Sequence, residues 1–182
     1  MNNPDFEIYM PDTAQPVSGI TLEEALSATT HLGIAAHPDD LEIMAIHGIL
    51  AGFRGGGASF AGVVLTNGSG APRGAKFAGL SNAELAALRK EEQKEAARVG
   101  RYGAVVFMNF ASQDVRSGGG VVESLARVLQ AARARVVYTH SLLDAHPTHS
   151  AAAWRVVQAL RSLPAECLPE EVYGCEVWRG MD

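Results

Sequence analysis

Two short stretches of the chain concentrate residue types that can do chemistry: His37-Pro38-Asp39-Asp40 and His146-Pro147-Thr148-His149. Two imidazoles and one carboxylate are a sufficient protein ligand set for a catalytic zinc, with a coordination position left open for water. His37 and Asp40 are the candidate ligands from the first stretch and His149 from the second. Such a metal would pull the pKa of a bound water from 15.7 toward about 7 and polarise a carbonyl. Asp39 is the candidate general base, because adjacent residues on a turning backbone point in different directions and one aspartate can bind metal while its neighbour faces the substrate. His146 is placed to donate a proton to a leaving group. Pro38 and Pro147 restrict φ and stiffen both loops. Each stretch alone has a plainer reading. Asp40 is a good N-cap for a helix starting near Leu41, and two histidines three apart often lie on a surface. The plain readings weaken when both stretches reach one place.

The surrounding pattern brings them there. HLGIAA, residues 31–36, is a short apolar run suited to a buried strand. Residues 41–53 have apolar positions at helical spacing, and the glycines at 55–57 stop them. A second strand is expected over 58–67, followed by the loop GSGAPRG. A helix is expected over 81–100, capped by Ser81 or Asn82, with Glu84 in its first turn. A third strand is expected over 103–110. GGGVVESLARVLQAARA reads as a helix, RVVYTHS as a strand, THSAAAWRVVQALRSL as a helix and EVYGCEVW as a last strand. Strands alternating with helices imply an α/β fold, a Rossmann-like three-layer αβα arrangement around a mostly parallel sheet. Ligands of such sheets sit beyond the carboxyl ends of the strands. HPDD follows the first strand and HPTH the fourth, so both fall on one rim.

The 182 residues, 47% hydrophobic and 19% charged with a net charge of -5, suit one globular domain over 1–182. Residues 1–30 form an N-terminal extension with little pattern beyond a cap at Thr21 before LEEAL. No Lys/Arg cluster suggests a nucleic-acid partner, and no apolar run approaches a membrane span. Cys167 and Cys175 are too few for a disulfide framework. The first residues lack the basic and apolar regions of a signal peptide, so the default expectation is cytoplasmic. Rival functions find little support. TNGSGAPRG follows a strand but has neither G-x-G-x-x-G nor a P-loop spacing, and no G-x-S-x-G occurs. A non-catalytic metal- or sugar-binding protein needs neither Asp39 nor His146.

The same residues carry a family resemblance. AAHPDDLEIMA followed by DAHPTHSAA resembles the LmbE-like, or PIG-L-like, N-deacetylases, whose pattern is a strand ending in A-H-P-D-D and a late H-P-x-H opening a helix. VVLTNGSG, LRKEEQKEAARVG, FASQD and EVW extend the match over roughly 31–182. The resemblance implies a hydrolase that uses one divalent metal per chain, usually zinc, to remove an N-acetyl group from an amino sugar, releasing acetate and a free amine. Fe(II), Co(II) and Mn(II) also suit such donors. It maps the metal ligands onto His37, Asp40 and His149, the base onto Asp39 and the acid onto His146, and it places Arg89 and Asp114 against the sugar. Without the resemblance, Arg89 reads equally as a helix arginine paired with nearby glutamates, and Asp114 as a turn residue. Relatives often assemble, so a homo-oligomer is an expectation. Some relatives carry an aromatic residue two positions before the acid histidine. Asp144 stands there, on the substrate side, where it could hold His146 in a proton-donating state. That leaves the oxyanion stabiliser unassigned. His47 reads as a half-buried helix residue and His140 as a strand-end surface histidine, each with a rim position as the alternative. Relatives usually continue past the EVW strand, so the sequence reads as a short member or a fragment.

Overall fold

The computed structural model describes residues 6–11 and 19–178; the rest of the N-terminal extension and the final RGMD lie outside them. Six strands form one sheet. In chain order they are β1 (Glu7–Tyr9), β2 (His31–Ala35), β3 (Phe60–Thr66), β4 (Ala104–Phe110), β5 (Val136–His140) and β6 (Glu171–Cys175). Their order across the sheet is β1-β4-β3-β2-β5-β6. Every neighbouring pair is parallel except β1 with β4. The helices are α1 (Leu22–Leu26), α2 (Asp40–Met44), α3 (Ile46–Arg54), α4 (Asn82–Val99), α5 (Ser112–Ser117), α6 (Val121–Ala132) and α7 (Pro147–Arg161).

Alternate residues of each strand feed two cores, as the period of two requires. Leu32, Ile34, Val63, Leu65 and Val106 pack under α1, α6 and α7 through Leu26, Leu125 and Val156. Ala35, Phe60, Val64 and Phe107 pack under α2, α3 and α4 through Leu41, Ile49 and Ala97. The central strands are buried on both faces, which is why they read as continuous apolar runs. The expected three-layer αβα arrangement is what the chain adopts.

Two glycines set the height of the rim. Gly33 and Gly62 sit side by side in the β2–β3 register. A Cβ at either would come within 2.7 Å and 2.6 Å of the two Leu41 methyls. Their bareness makes a groove that seats Leu41 and therefore Asp40 beside it. The expected helix over 41–53 is in fact two, broken at Ala45 (φ −107°, ψ 20°). The break carries α3 against the sheet, where a Cβ on Gly48 would lie 2.5 Å from the Tyr138 ring. Two elements escaped the sequence pattern. β1 is only three residues long and half-buried at the sheet edge, too short to show a period. α5 begins in what reads as a strand end, FASQD, and runs to the glycines that open the next expected helix. The Thr21 cap is present as a capping box with Glu24, and Ser81 forms another with Glu84.

Candidate metal centre

β2 ends at Ala35, and the HPDD loop that follows has nearly every amide committed. The Ala36 N–H donates to His140 Nε2 at 2.9 Å. The His37 N–H donates to Asp40 Oδ2 at 2.8 Å. The Asp39 N–H donates to Gln93 Oε1 at 2.9 Å. Gln93, buried on α4, is held by Glu42, which also accepts the Tyr102 hydroxyl at 2.6 Å. Asp39 itself is left-handed, with φ 86°, a conformation that is uncommon outside glycine and asparagine and costs on the order of 1 kcal/mol. The hydrogen bonds around it hold that turn, and the turn separates the two aspartates. Asp39 ends with its side chain 70% exposed and Asp40 with 5%. Asp40 is the first residue of α2, and its carboxylate reaches back to the His37 amide. The N-cap reading of Asp40 is thereby overturned.

The three candidate ligand atoms converge. His37 Nδ1 lies 3.2 Å from Asp40 Oδ2, His149 Nε2 lies 3.3 Å from the same oxygen, and the two ring nitrogens are 3.1 Å apart. A tetrahedral ion with bonds of about 2.0–2.1 Å needs its ligand atoms about 3.3–3.4 Å apart. The donor set and its spacing therefore fit a divalent transition metal. His149, nearly fully buried on the first turn of α7, directs Nδ1 to Asp144 Oδ1 at 3.1 Å, which leaves the Nε2 lone pair toward Asp40. Other groupings overlap this one: buried Asp40, His140 and His149 form one close cluster, and half-buried His37 and His146 form another with His149.

The charges answer to these contacts. Burial alone would raise the Asp40 carboxyl, but His140, His149 and His37 more than offset it and hold it far below the usual range. Burial would lower His149, and Asp40 and Asp144 reverse that and push it up. His146 is pushed down by burial and by the neighbouring His149 and His37. Partial desolvation beside the cleft and the neighbouring Asp40 charge push Asp39 up, against the pull of Arg89.

Around the cluster lies a cleft of about 490 Å³ lined by Asp39, Arg89, Ser112, Arg116, His146 and Trp178 among others. Arg89 bonds Asp39 Oδ2 at 2.7 Å and the Pro38 carbonyl at 2.6 Å. It is thus tied to the site, and the reading that paired it with helix glutamates fails. Asp114 is not part of the lining; its carboxylate accepts the Ala111 N–H at 3.2 Å and caps α5, which supports its reading as a turn residue. Asp144 does not bond the His146 ring. One oxygen accepts the His146 backbone N–H at 2.9 Å as well as His149, and the other accepts the Val177 and Trp178 amides. Those amides outweigh burial and keep its carboxyl low. The His146 ring instead accepts the Thr148 N–H on Nδ1 at 3.3 Å, so the neutral ring carries its proton on Nε2.

His140 is the largest surprise: it is 1% exposed, and its ring stacks on His149 with centroids 4.0 Å apart. His47 is exposed and lines a different cleft. Gln93 lies four residues from Arg89, so the shared helix face was a signal for it. For His140 the one signal was its place at the carboxyl end of a strand, on the rim.

The model of the family described as "PIG-L: GlcNAc-PI de-N-acetylase" matches residues 32–160. The chain belongs to that family. No curated protein matches it. Among solved structures it is similar to a conserved protein of Thermus thermophilus (25% identity, TM-score 0.63, 81% of this chain and 66% of that one). It is also similar to the N,N'-diacetylchitobiose deacetylase of Pyrococcus horikoshii (22%, 0.64, 81% and 56%). A third is the 4-carboxy-2-hydroxymuconate hydratase of Pseudomonas putida (22%, 0.65, 81% and 62%). The chain spans less than two thirds of the length of each. A deacetylase and a hydratase on one fold show that the site, not the sheet, must carry the functional argument.

Proposed function

We propose that the protein is a zinc-dependent hydrolase that removes an N-acetyl group from an amino sugar or sugar conjugate. The observation that carries this is the convergence of His37 Nδ1, Asp40 Oδ2 and His149 Nε2 within 3.1–3.3 Å, beside a cleft that also holds Asp39 and His146. A zinc ion held by these three residues would supply an activated water and a polarised carbonyl. Family membership supports the reading, and so does the chitobiose deacetylase among its structural neighbours.

The chain's own residues then divide the work. Asp39, exposed to the cleft and turned away from Asp40, takes one proton from the attacking water. Arg89 fixes its carboxylate. His146 gives one proton to the amine nitrogen as the C–N bond breaks, so acetate and a free amine leave. Its Thr148 contact is long and is readily given up when the ring protonates. Asp144 keeps His149 in the tautomer that a metal needs. Arg89 and the cleft wall near Ser112 and Trp178 are the surfaces left to hold the sugar.

The test is acetate release from a panel of N-acetylated amino sugars by zinc-loaded protein. Release that stops on chelation and returns with zinc is expected. A protein that binds zinc and cleaves no N-acetyl sugar would overturn the reading and favour a non-catalytic relative.

A further inference from the structure

His140 is buried, belongs to neither chemical motif and makes an unusual set of contacts. Its ring lies flat on His149, the planes 16° apart. Its Nε2 accepts the Ala36 N–H and stands 3.4 Å from Asp40 Oδ2. Its Nδ1 is buried with no hydrogen-bond partner. An Nε2 that accepts an amide hydrogen carries no proton, so the neutral ring has its hydrogen on Nδ1. An orphaned buried donor is destabilising. A phenylalanine would fill this space and stack on His149 without that cost. What only the imidazole adds is the acceptor at Nε2.

That acceptor acts on the peptide that launches the HPDD loop. The Ala36 carbonyl accepts the Thr66 N–H at 2.9 Å from β3, while its N–H is taken by His140 from β5. The residue before His37 is thus clamped from both neighbouring strands. The same ring supports the face of His149. One side chain therefore fixes the approach of a ligand from each motif.

We infer that His140 is a positioning residue for the metal centre, presetting His37, Asp40 and His149 through its Ala36 hydrogen bond and its stack on His149, and is not itself a ligand. This rests on the metal-dependent reading above.

The test compares wild type, His140→Phe and His140→Gln. The glutamine keeps an acceptor near the position of Nε2, and the phenylalanine keeps only the stack. Zinc affinity is read by competition with a chelator, and site geometry by the visible absorption of the Co(II)-loaded protein. Zinc binding by His140→Phe is expected to weaken about 10–100-fold, the range for residues that orient ligands, with a shifted cobalt spectrum. His140→Gln is expected to stay close to wild type in both. Wild-type affinity and spectrum in His140→Phe would overturn the inference, leaving His140 a packing residue. Equal loss of metal in both variants would overturn it the other way, making His140 a ligand. Should His140→Phe fail to fold, imidazole nitrogen NMR of the wild type decides. The Nδ1–H tautomer is expected with and without zinc, and coordination at Nε2 would contradict the inference. A wild type that takes no zinc would instead remove the hydrolase reading itself, a result distinct from all of these.

Discussion

Among the described residues, two clefts have nearly equal volume, about 490 Å³ at the rim and about 480 Å³ between α3 and the β5–β6 edge. Both hold histidines. At the rim His37, His140 and His149 each set a ring nitrogen 3.2–3.4 Å from one Asp40 oxygen, and the His146 ring packs on His149. In the other cleft His31 and His47 sit with Tyr138, Tyr173, Arg135 and Glu171. There the rings lie face to face: His31 over Tyr138 at 6.3 Å and Tyr138 over Tyr173 at 5.6 Å. The His31 Nδ1 is occupied by the Thr30 hydroxyl at 2.9 Å. Among the described residues neither His31 nor His47 joins a group of three metal-capable side chains. Histidine content does not make a site; convergence of ring nitrogens and a carboxylate oxygen around one point does. That convergence needs a backbone bent against its preference at Asp39 and amides tied down by Gln93 and His140.

Substitutions can break or sharpen this contrast. The largest effect is expected from Asp39→Asn, which removes the base and leaves the ligands. Turnover of a cleaved N-acetyl sugar should fall about 10²–10⁴-fold with zinc content unchanged. A loss of zinc in that variant would mean that Asp39 belongs to the ligand set. Asp144→Asn is next: without the carboxylate behind His149, zinc affinity should weaken about 10–100-fold, measured by chelator competition. An unchanged affinity would show that the Val177 and Trp178 amides are its whole purpose.

A paired substitution compares the clefts directly. Gly62→Ala puts a methyl against Leu41 under the rim, and Gly48→Ala puts one against Tyr138 under the other cleft. Each should cost about 1–3 kcal/mol in denaturant unfolding. Only Gly62→Ala should also weaken zinc binding, because Leu41 adjoins Asp40. Equal effects on zinc would dissolve the distinction between the clefts.

The smallest effect lies far from both. Glu7 on β1 pairs with Lys90 and Lys94 of α4 at 2.6 Å and 3.0 Å. Burial would raise its carboxyl, and the two lysines more than offset that and lower it. A depressed folded-state value stabilises the fold above the ordinary glutamate pKa, and the contribution is lost as pH falls through the folded value. The pair is partly exposed, so Glu7→Gln should cost less than about 1 kcal/mol at neutral pH. The difference from wild type should vanish in acid. A gap that persists there would assign the effect to packing of β1.

Much of this was legible in the sequence, for physical reasons. Buried parallel strands must be apolar on both faces, so β2 to β5 announce themselves. Proline and adjacent charges at a strand exit mark a rim loop, and two such loops on one sheet must meet. Long-range partners leave no local trace. Nothing near Tyr138 or Ser141 says that His140 will be capped by the Ala36 amide just past β2, about a hundred residues earlier. Asp144 is likewise decided by the Val177 and Trp178 amides, which arrive after β6.

The most direct test of the central claim is zinc stoichiometry of the purified protein by elemental analysis, in wild type, His149→Ala and His47→Ala. The convergence seen at the rim predicts one zinc per chain in wild type, none in His149→Ala and one in His47→Ala. Zinc retained in His149→Ala, or lost in His47→Ala, would contradict it.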